Sequence, residues 1–366
     1  MARNYYFSFG RNRWDPTPLI VAVMVVVLAA ALYAYFKTGE VRAEEGQSKA
    51  VAAAVDDLRK EADAVKVSID LPGKMRSANY ILLQRSGYNR KFEGEDSWVD
   101  AQEGVQPVPD AFMHQRIRLA KKANVQIYPA SMTKMLTALV FIERIAPGDY
   151  DKELEITRDD LGYLYNDGAS VAGFAVGEKV KIEDLIYGVM LPSGSECTSA
   201  LAEYMAGGQD KFVDMMNAKA ESIGMSASHF SNPIGLHDDE TYTTVSDIAL
   251  LLDYAIRDER FLKVISTQEY TTSPTNKHPD GLDLKSTLYQ QGEIDMVSDD
   301  GEIIGGKTGY TNEAGQCLAS YMVKGGEQFI LVTAAAKPKD FHKQALHVND
   351  MLDVFSALEV TGAGIK

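Results

Sequence analysis

Three short stretches of this chain hold side chains that together could do nucleophilic chemistry. Ser131-Met132-Thr133-Lys134 sets a hydroxyl and an amine three residues apart, and it is the only S-x-x-K in the sequence. On a helix such a pair lies on one face, one turn apart. A serine hydroxyl is a weak nucleophile and needs a base. A lysine serves as that base where burial or a neighbouring cation keeps it neutral. A helix start also places positive potential beside a forming oxyanion. The second stretch is Ser193-Gly194-Ser195 in the loop "LPSGSE", and the third is Lys307-Thr308-Gly309 in "IIGGKTGYT". A single S-x-x-K arises by chance in a chain of this length, and Pro, Ser and Gly also make ordinary turns. The order of the three, serine–lysine, serine loop, lysine–threonine–glycine, is far more specific than any one of them.

The third stretch has a competing reading. Gly301 to Thr308 spells G-E-I-I-G-G-K-T, which fits the phosphate-loop pattern letter for letter. A phosphate loop needs a strand before it and a helix directly after it, because the helix start supplies the amides that hold the phosphate. Here "GYTNEAGQ" follows, a poor first helical turn, and the strand-like "IIGG" lies inside the pattern. Nucleotide binding is therefore rejected.

Composition narrows the partners. Acidic residues outnumber basic ones, 52 to 37, giving a net charge of −15, and no long basic run offers a nucleic-acid surface. The two cysteines, Cys197 and Cys317, fit no zinc spacing, and the six histidines form no H-E-x-x-H or H-x-H pair, so no metal site is expected.

The elements that must carry these residues can be traced along the chain. Residues 1–18 read as a polar, cytoplasmic tail. Leu19 to Phe36 is uncharged and apolar on every side, long enough to cross a hydrocarbon core. A cleaved signal peptide is the rival, with "VRA" at Val41 to Ala43 as its site, but the run is long and ends in Tyr33, Tyr35 and Phe36, as an interfacial belt would. We therefore expect an uncleaved anchor. Residues 37–75 read as a stalk helix with Val51, Val55, Leu58, Ala62 and Val65 on one face, ended by Pro72-Gly73.

A domain over residues 76–360 follows. "ANYILLQR" is expected as a strand and "HQRIRLAKKA" as a short helix. Helices are expected over "ASMTKMLTALVFIERI", "IEDLIYGVM", "CTSALAEYMA", "DKFVDMMNAKAESIGM" with Gly224 as its stop, and "SDIALLLDYAIRD" capped by Ser246. From Glu302 the pattern turns to strands: "IIGGKTGYT", "QCLASYMV", a Gly325-Gly326 turn, and "QFILVTAAA". A final helix is expected near Lys339 to Leu358. Together these imply an α+β domain, an antiparallel sheet with helices around it.

The three motifs, with "YPASMTKMLTAL", "IEDLIYGVMLPSGSE", "MNAKAESIGMSASHFSNPIGLHD", "TTVSDIALLLDYAIRD" and "IIGGKTGYTNEAGQCLAS", resemble the D-alanyl-D-alanine carboxypeptidases of serine peptidase family S11, the low-molecular-mass penicillin-binding proteins. The likeness runs from about Ala78 to Ala336. It implies a β-lactamase/DD-peptidase-like antiparallel sheet flanked by helices, with a helical subdomain. It implies that Ser131 attacks the bond between the two terminal D-alanines of a peptidoglycan stem peptide, that Lys134 takes its proton, and that Ser193 relays the proton to the leaving D-alanine. It further implies that Lys307 and Thr308 hold the terminal carboxylate, that the amides of Ser131 and Tyr310 form the oxyanion hole, and that Gly309 leaves room for the substrate backbone. No cofactor is implied, and β-lactam antibiotics would be covalent inhibitors. The catalytic domain would stand on the extracytoplasmic side of the cell membrane, held by the N-terminal helix.

Three departures from the family pattern stand out. Ser195 occupies the position where asparagine is usual, and its shorter side chain changes what can reach the substrate. "EGEDSWVDAQEGVQPVPDAFMHQ" looks like an insertion before Ser131. The chain also stops soon after the catalytic domain, where relatives often carry a β-rich domain and an amphipathic anchor. Cys197 and Cys317 follow two motifs that share a cleft, so either a disulfide or two buried thiols is consistent with their places. Rival functions are a catalytically impaired module that senses peptidoglycan, a DD-endopeptidase, or a β-lactamase of the same fold.

Overall fold

A computed structural model describes residues 73–85, 116–162, 168–291, 296–298, 300–340 and 343–361, together with Ala53, Ile69, Leu71, Gly364 and Ile365. The expected tail at 1–18, the anchor at 19–36, most of the 37–75 stalk and the 93–115 insertion lie outside the described residues. Among the described residues no helix is long and apolar enough to cross a membrane.

The centre is a six-stranded antiparallel sheet. In chain order its strands are β1 (Asn79–Arg85), β2 (Arg116–Lys121), β7 (Val297–Ser298), β8 (Gly301–Thr311), β9 (Gly315–Lys324) and β10 (Glu327–Ala336), and their order in space is β2-β1-β10-β9-β8-β7. Three small antiparallel strand pairs stand apart from it: β3 (Glu153–Glu155) with β4 (Lys179–Lys181), β5 (Glu269–Thr271) with β6 (Asp283–Lys285), and β11 (Val360–Thr361) with β12 (Gly364–Ile365). Eight α-helices complete the described chain: α1 (Thr133–Arg144), α2 (Arg158–Gly162), α3 (Ile182–Met190), α4 (Ser195–Ala206), α5 (Gln209–Ser222), α6 (Val245–Ala255), α7 (Glu259–Ser266) and α8 (Leu346–Ala357).

Both faces of the sheet are covered, so its inner strands are buried on nearly every residue rather than on alternate ones. Ile81, Leu83, Ala319, Ile330 and Val332 face the helical lobe of α1 and α3 to α7. Leu82, Leu318, Met322, Phe329 and Leu331 face α8 through Met351, Val354 and Phe355. Phe329 is fully enclosed, so its truncation to alanine costs about 3–5 kcal/mol. Upstream of β1, Ile69 and Met75 are also buried in this second core. Asp350 of α8 fastens the same entry point, accepting the amides of Arg76 at 2.8 Å and Ser77 at 2.7 Å.

The sequence reading is corrected in places. "HQRIRLAKKA" gives strand β2, not a helix: Ile117 and Leu119 are buried with period two, and β1 pairs along them. The cap of α6 is Thr244, whose side chain accepts the Asp247 amide at 3.0 Å, while the Ser246 hydroxyl is buried within the helix. The last helix is shorter than expected, and α7 was not foreseen. Glycine stops Gly224 and Gly325-Gly326 all have positive φ, as their turns require.

Only one strand matters directly for the chemistry. β8 pairs with β9 along its whole length, with Lys307 opposite Ala319 and Gly309 opposite Cys317. On its other side β7 reaches only Glu302 and Gly301. Among the described residues no strand pairs with β8 on that side from Gly305 to Thr311, which leaves an edge that an extended peptide can join.

Candidate active site

The segment that leads to Ser131 is tied down before the helix begins. Ile127 exchanges backbone hydrogen bonds with Thr243 at 2.8 and 3.0 Å. A single 3₁₀ turn, Ala130–Met132, then feeds directly into α1. Ala130 sits at φ +48°, in the left-handed region that non-glycine residues rarely adopt. Such a conformation persists only where the surroundings enforce it. Here they do: a Cβ at Gly235 would lie 2.1 Å from the Ala130 carbonyl oxygen, and one at Gly309 would lie 3.0 Å from the Ser131 nitrogen. Ser131 is wedged between a loop and the edge strand, and glycine is the residue that fits on both sides.

Lys134 lies one turn further on and is buried, its Nζ 3.5 Å from Ser131 Oγ. Its shorter hydrogen bond, 2.6 Å, is donated to the carbonyl of Ile234. That carbonyl is aimed by Asn232, whose Oδ1 accepts the amides of Ile234 at 3.2 Å and Gly235 at 2.7 Å. Asn232 Nδ2 donates to the Leu236 carbonyl at 3.1 Å, and Thr137 Oγ1 to the Pro233 carbonyl at 2.7 Å. The loop is therefore a rigid cradle for the amine. Burial brings the Lys134 pKa from 10.5 down to about 7, against the opposing charge of Glu196. A lysine near 7 is a neutral base for much of the time at physiological pH.

Ser193 and Ser195 flank the other side. α3 ends at Met190 and α4 begins at Ser195, so the serine loop spans the gap between two buried helices. Ser193 has φ +66°, and both serine hydroxyls are buried without a hydrogen-bond partner among the described residues. An unpaired buried hydroxyl is costly and marks a place where a reacting group or water is expected. The loop is packed hard. A Cβ at Gly194 would come within 2.8 Å of Ala172 Cβ and 2.9 Å of the Gly188 carbonyl. Glu196, fully buried, holds the covering segment by accepting the amides of Ala172 at 2.7 Å and Gly173 at 2.9 Å.

Lys307 is fully buried behind β8, with Nζ donating to the Thr308 carbonyl at 3.1 Å. Burial first, and the charge of Lys134 second, hold its pKa well below the usual lysine value. That coupling brings the first and third motifs into one electrostatic field. Thr308 is nearly enclosed, and its hydroxyl meets that of Thr287 at 2.5 Å. Tyr310 follows Gly309 on the same edge, its hydroxyl donating to Asn312 Oδ1 at 3.1 Å.

Every site residue expected from the sequence thus lies on one of three converging supports: the start of α1, the α3–α4 loop, or the β8 edge. Sequence reasoning missed Asn232, Ile234, Glu196 and Thr287. The first two lie in "SNPIGLHD", where Asn-Pro and the following Gly announce a turn. Nothing in the sequence tells that the turn's carbonyl serves the lysine. Cys197 and Cys317 are both free, buried thiols, with pKa values raised by burial.

Comparison with known proteins places this geometry in context. A sequence profile of the family described as D-alanyl-D-alanine carboxypeptidase, peptidase S11, matches residues 113–338. Over 246 residues the chain is 30% identical to D-alanyl-D-alanine carboxypeptidase DacF of Bacillus subtilis, covering 65% of this chain and 59% of that protein. It is 28% identical over 232 residues to DacA of Escherichia coli K12, covering 62% of this chain and 54% of that one. The chain therefore spans little more than half the length of these relatives. Among solved structures, the DD-transpeptidase of Streptomyces K15 superposes with a TM-score of 0.61 at 21% identity, over 80% of this chain and 98% of that one. A D-alanyl-D-alanine carboxypeptidase from Mycobacterium tuberculosis gives a TM-score of 0.60 at 21% identity, over 81% and 97%.

Proposed function

The chain belongs to the S11 family of D-alanyl-D-alanine carboxypeptidases, and from that premise we propose that it removes the terminal D-alanine of peptidoglycan stem peptides through an acyl-enzyme on Ser131. The observation that carries this reading is the Ser131–Lys134 pair, a half-buried hydroxyl next to a buried lysine with a pKa near 7. Lys134 takes the Ser131 proton as Oγ attacks the carbonyl carbon of the penultimate D-alanine. The amides of Ser131 and Tyr310 receive the oxyanion. The C–N bond then breaks, and Ser193 passes the proton to the departing amine. Water later cleaves the ester and frees Ser131. Lys307 and Thr308, at the edge of β8, meet the terminal carboxylate, and Gly309 lets the peptide backbone lie against the strand. β-Lactams acylate Ser131 by the same attack.

We propose also that residues 19–36 anchor the protein in the cell membrane, uncleaved, with the catalytic domain outside the cytoplasm. Intact mass of the chain recovered from membranes tests this: loss of the first forty or so residues would overturn the anchor.

The principal test is the intact mass of the full chain in mild detergent after exposure to benzylpenicillin. One penicilloyl adduct, mapped to Ser131 and absent in Ser131→Ala, is expected. Its slow release, with release of D-alanine from an acylated peptide ending in D-alanyl-D-alanine, supports the carboxypeptidase. Fast release would make it a β-lactamase. A second reading, a sensing module that acylates without turning over, is favoured only by Ser195 in place of asparagine. An adduct with no D-alanine release would support it.

A further inference from the structure

Thr287 belongs to none of the three motifs, yet it joins two of them. Its amide donates to the carbonyl of Leu191, two residues before Ser193, at 3.0 Å. Its hydroxyl lies 2.5 Å from that of Thr308 in the lysine–threonine–glycine stretch. The neighbours of Thr287 leave it little freedom. The Ser286 amide donates to Gln268, and the Leu288 side chain is fully buried in the second core. The β5–β6 hairpin just upstream is clamped in turn. Tyr270 stacks on Tyr187 with ring centroids 3.8 Å apart, and its hydroxyl donates to the buried Asp184 at 2.7 Å. Asp184 also accepts the Ser273 amide at 3.2 Å. The position of the Thr287 hydroxyl is therefore set by the scaffold and does not depend on the substrate.

Two hydroxyls that face each other hold two hydrogens. One lies between the oxygens, and the other is left to donate elsewhere. Either hydroxyl can donate to the other; in the arrangement where Thr287 donates, the Thr308 proton is free for an acceptor such as a substrate carboxylate at the β8 edge. Hydrogen bonds in such a chain also polarise one another, so that donor is strengthened. Lys307 alone is a limited partner for a carboxylate, because burial and the charge of Lys134 both disfavour its ammonium form. A pre-aimed hydroxyl compensates for that weakness.

We propose that Thr287 is a positioning residue for recognition of the substrate's free terminal carboxylate. It acts through Thr308, by fixing the direction of that hydroxyl's proton. The inference rests on the carboxypeptidase reading and adds to it a determinant of selectivity for peptides with a charged C-terminus.

The test compares the full chain with Thr287→Val, which keeps the shape and the backbone hydrogen bond, and with Thr287→Ser, which keeps the hydroxyl. Three probes are used: an acylated peptide ending in D-alanyl-D-alanine, benzylpenicillin, and a fluorophosphonate that labels activated serines and has no carboxylate. For the valine variant we expect KM for the peptide and the apparent Kd for benzylpenicillin to rise about tenfold, the scale of one hydrogen bond to a charged group. Turnover should stay within about twofold, fluorophosphonate labelling should be unchanged, and serine should restore affinity. Unchanged affinity in the valine variant overturns the inference. So does an equal loss of fluorophosphonate labelling, which would mean general damage to the site. If the wild-type chain itself is acylated by none of the three probes, the carboxypeptidase reading fails first and takes this inference with it.

Discussion

At the scale of single residues, the site is built from groups held away from their ordinary states. Lys134 has a pKa near 7 because it is buried, and only its neutral form can take the Ser131 proton. The rate of acylation by benzylpenicillin should therefore climb as pH rises through about 7 and level off above it. A limb near 10.5, the ordinary lysine value, would show that Lys134 is not the base. Ser195 gives a different kind of prediction. Its hydroxyl is buried and unpaired, so Ser195→Ala removes an unsatisfied group and should leave Tm unchanged or slightly raised. If that hydroxyl meets the substrate, acylation slows all the same; equal rates would remove Ser195 from the site. The motif residues were readable because each role demands a particular side chain. Asn232 and Thr287 were not, because they act through contacts between segments far apart in the chain.

At the scale of elements, the sequence showed most of what later proved helical and most of the sheet. Long segments with clear periods, such as α1, α5 and β8 to β10, came out with nearly their expected ends. Short ones did not. β2 was misread because Arg116, Arg118 and Lys121 make a strand look like a polar helix, and only its pairing with β1 reveals the two-residue period. The cap of α6 was misplaced by two residues, since Thr244 and Ser246 are equally suitable by type. Thr244→Ala should cost about 1 kcal/mol in urea unfolding, and Ser246→Ala should cost less. The edge strand offers a sharper test. Gly309→Ala places a methyl about 3.0 Å from the Ser131 nitrogen and 3.1 Å from Ala130 Cβ. The fold should survive, as read by circular dichroism, while acylation falls by about a hundredfold, the effect of misplacing a reacting group by a fraction of an ångström to an ångström. Near-normal acylation would mean that the nucleophile and the strand are less tightly wedged than their geometry requires.

At the scale of the whole molecule, the two cores on opposite faces of the sheet respond to different conditions. The helical lobe carries Ser131, Lys134 and Ser193. The rear core carries α8, where buried His347 has an Nδ1 without a partner among the described residues and a pKa lowered from 6.5 to about 4 by desolvation. The unfolded chain takes up this proton below about 6.5, while the folded chain resists it until about 4. Stability contributed by neutral His347 is therefore full above 6.5 and is lost as pH falls toward 4, by on the order of 3 kcal/mol. Unfolding midpoints measured across this range should fall more steeply for the wild type than for His347→Gln; parallel curves would show that other groups dominate. The rear face has one more consequence. The chain comes into the folded body there, with Ile69 and Met75 in the rear core and the amides of Arg76 and Ser77 held by Asp350. Ser131 sits on the other face of the sheet, beside the helical lobe. A pull on the chain at residues 69–77 is therefore taken up by Asp350 and the rear core, and reaches Ser131 only through the sheet itself.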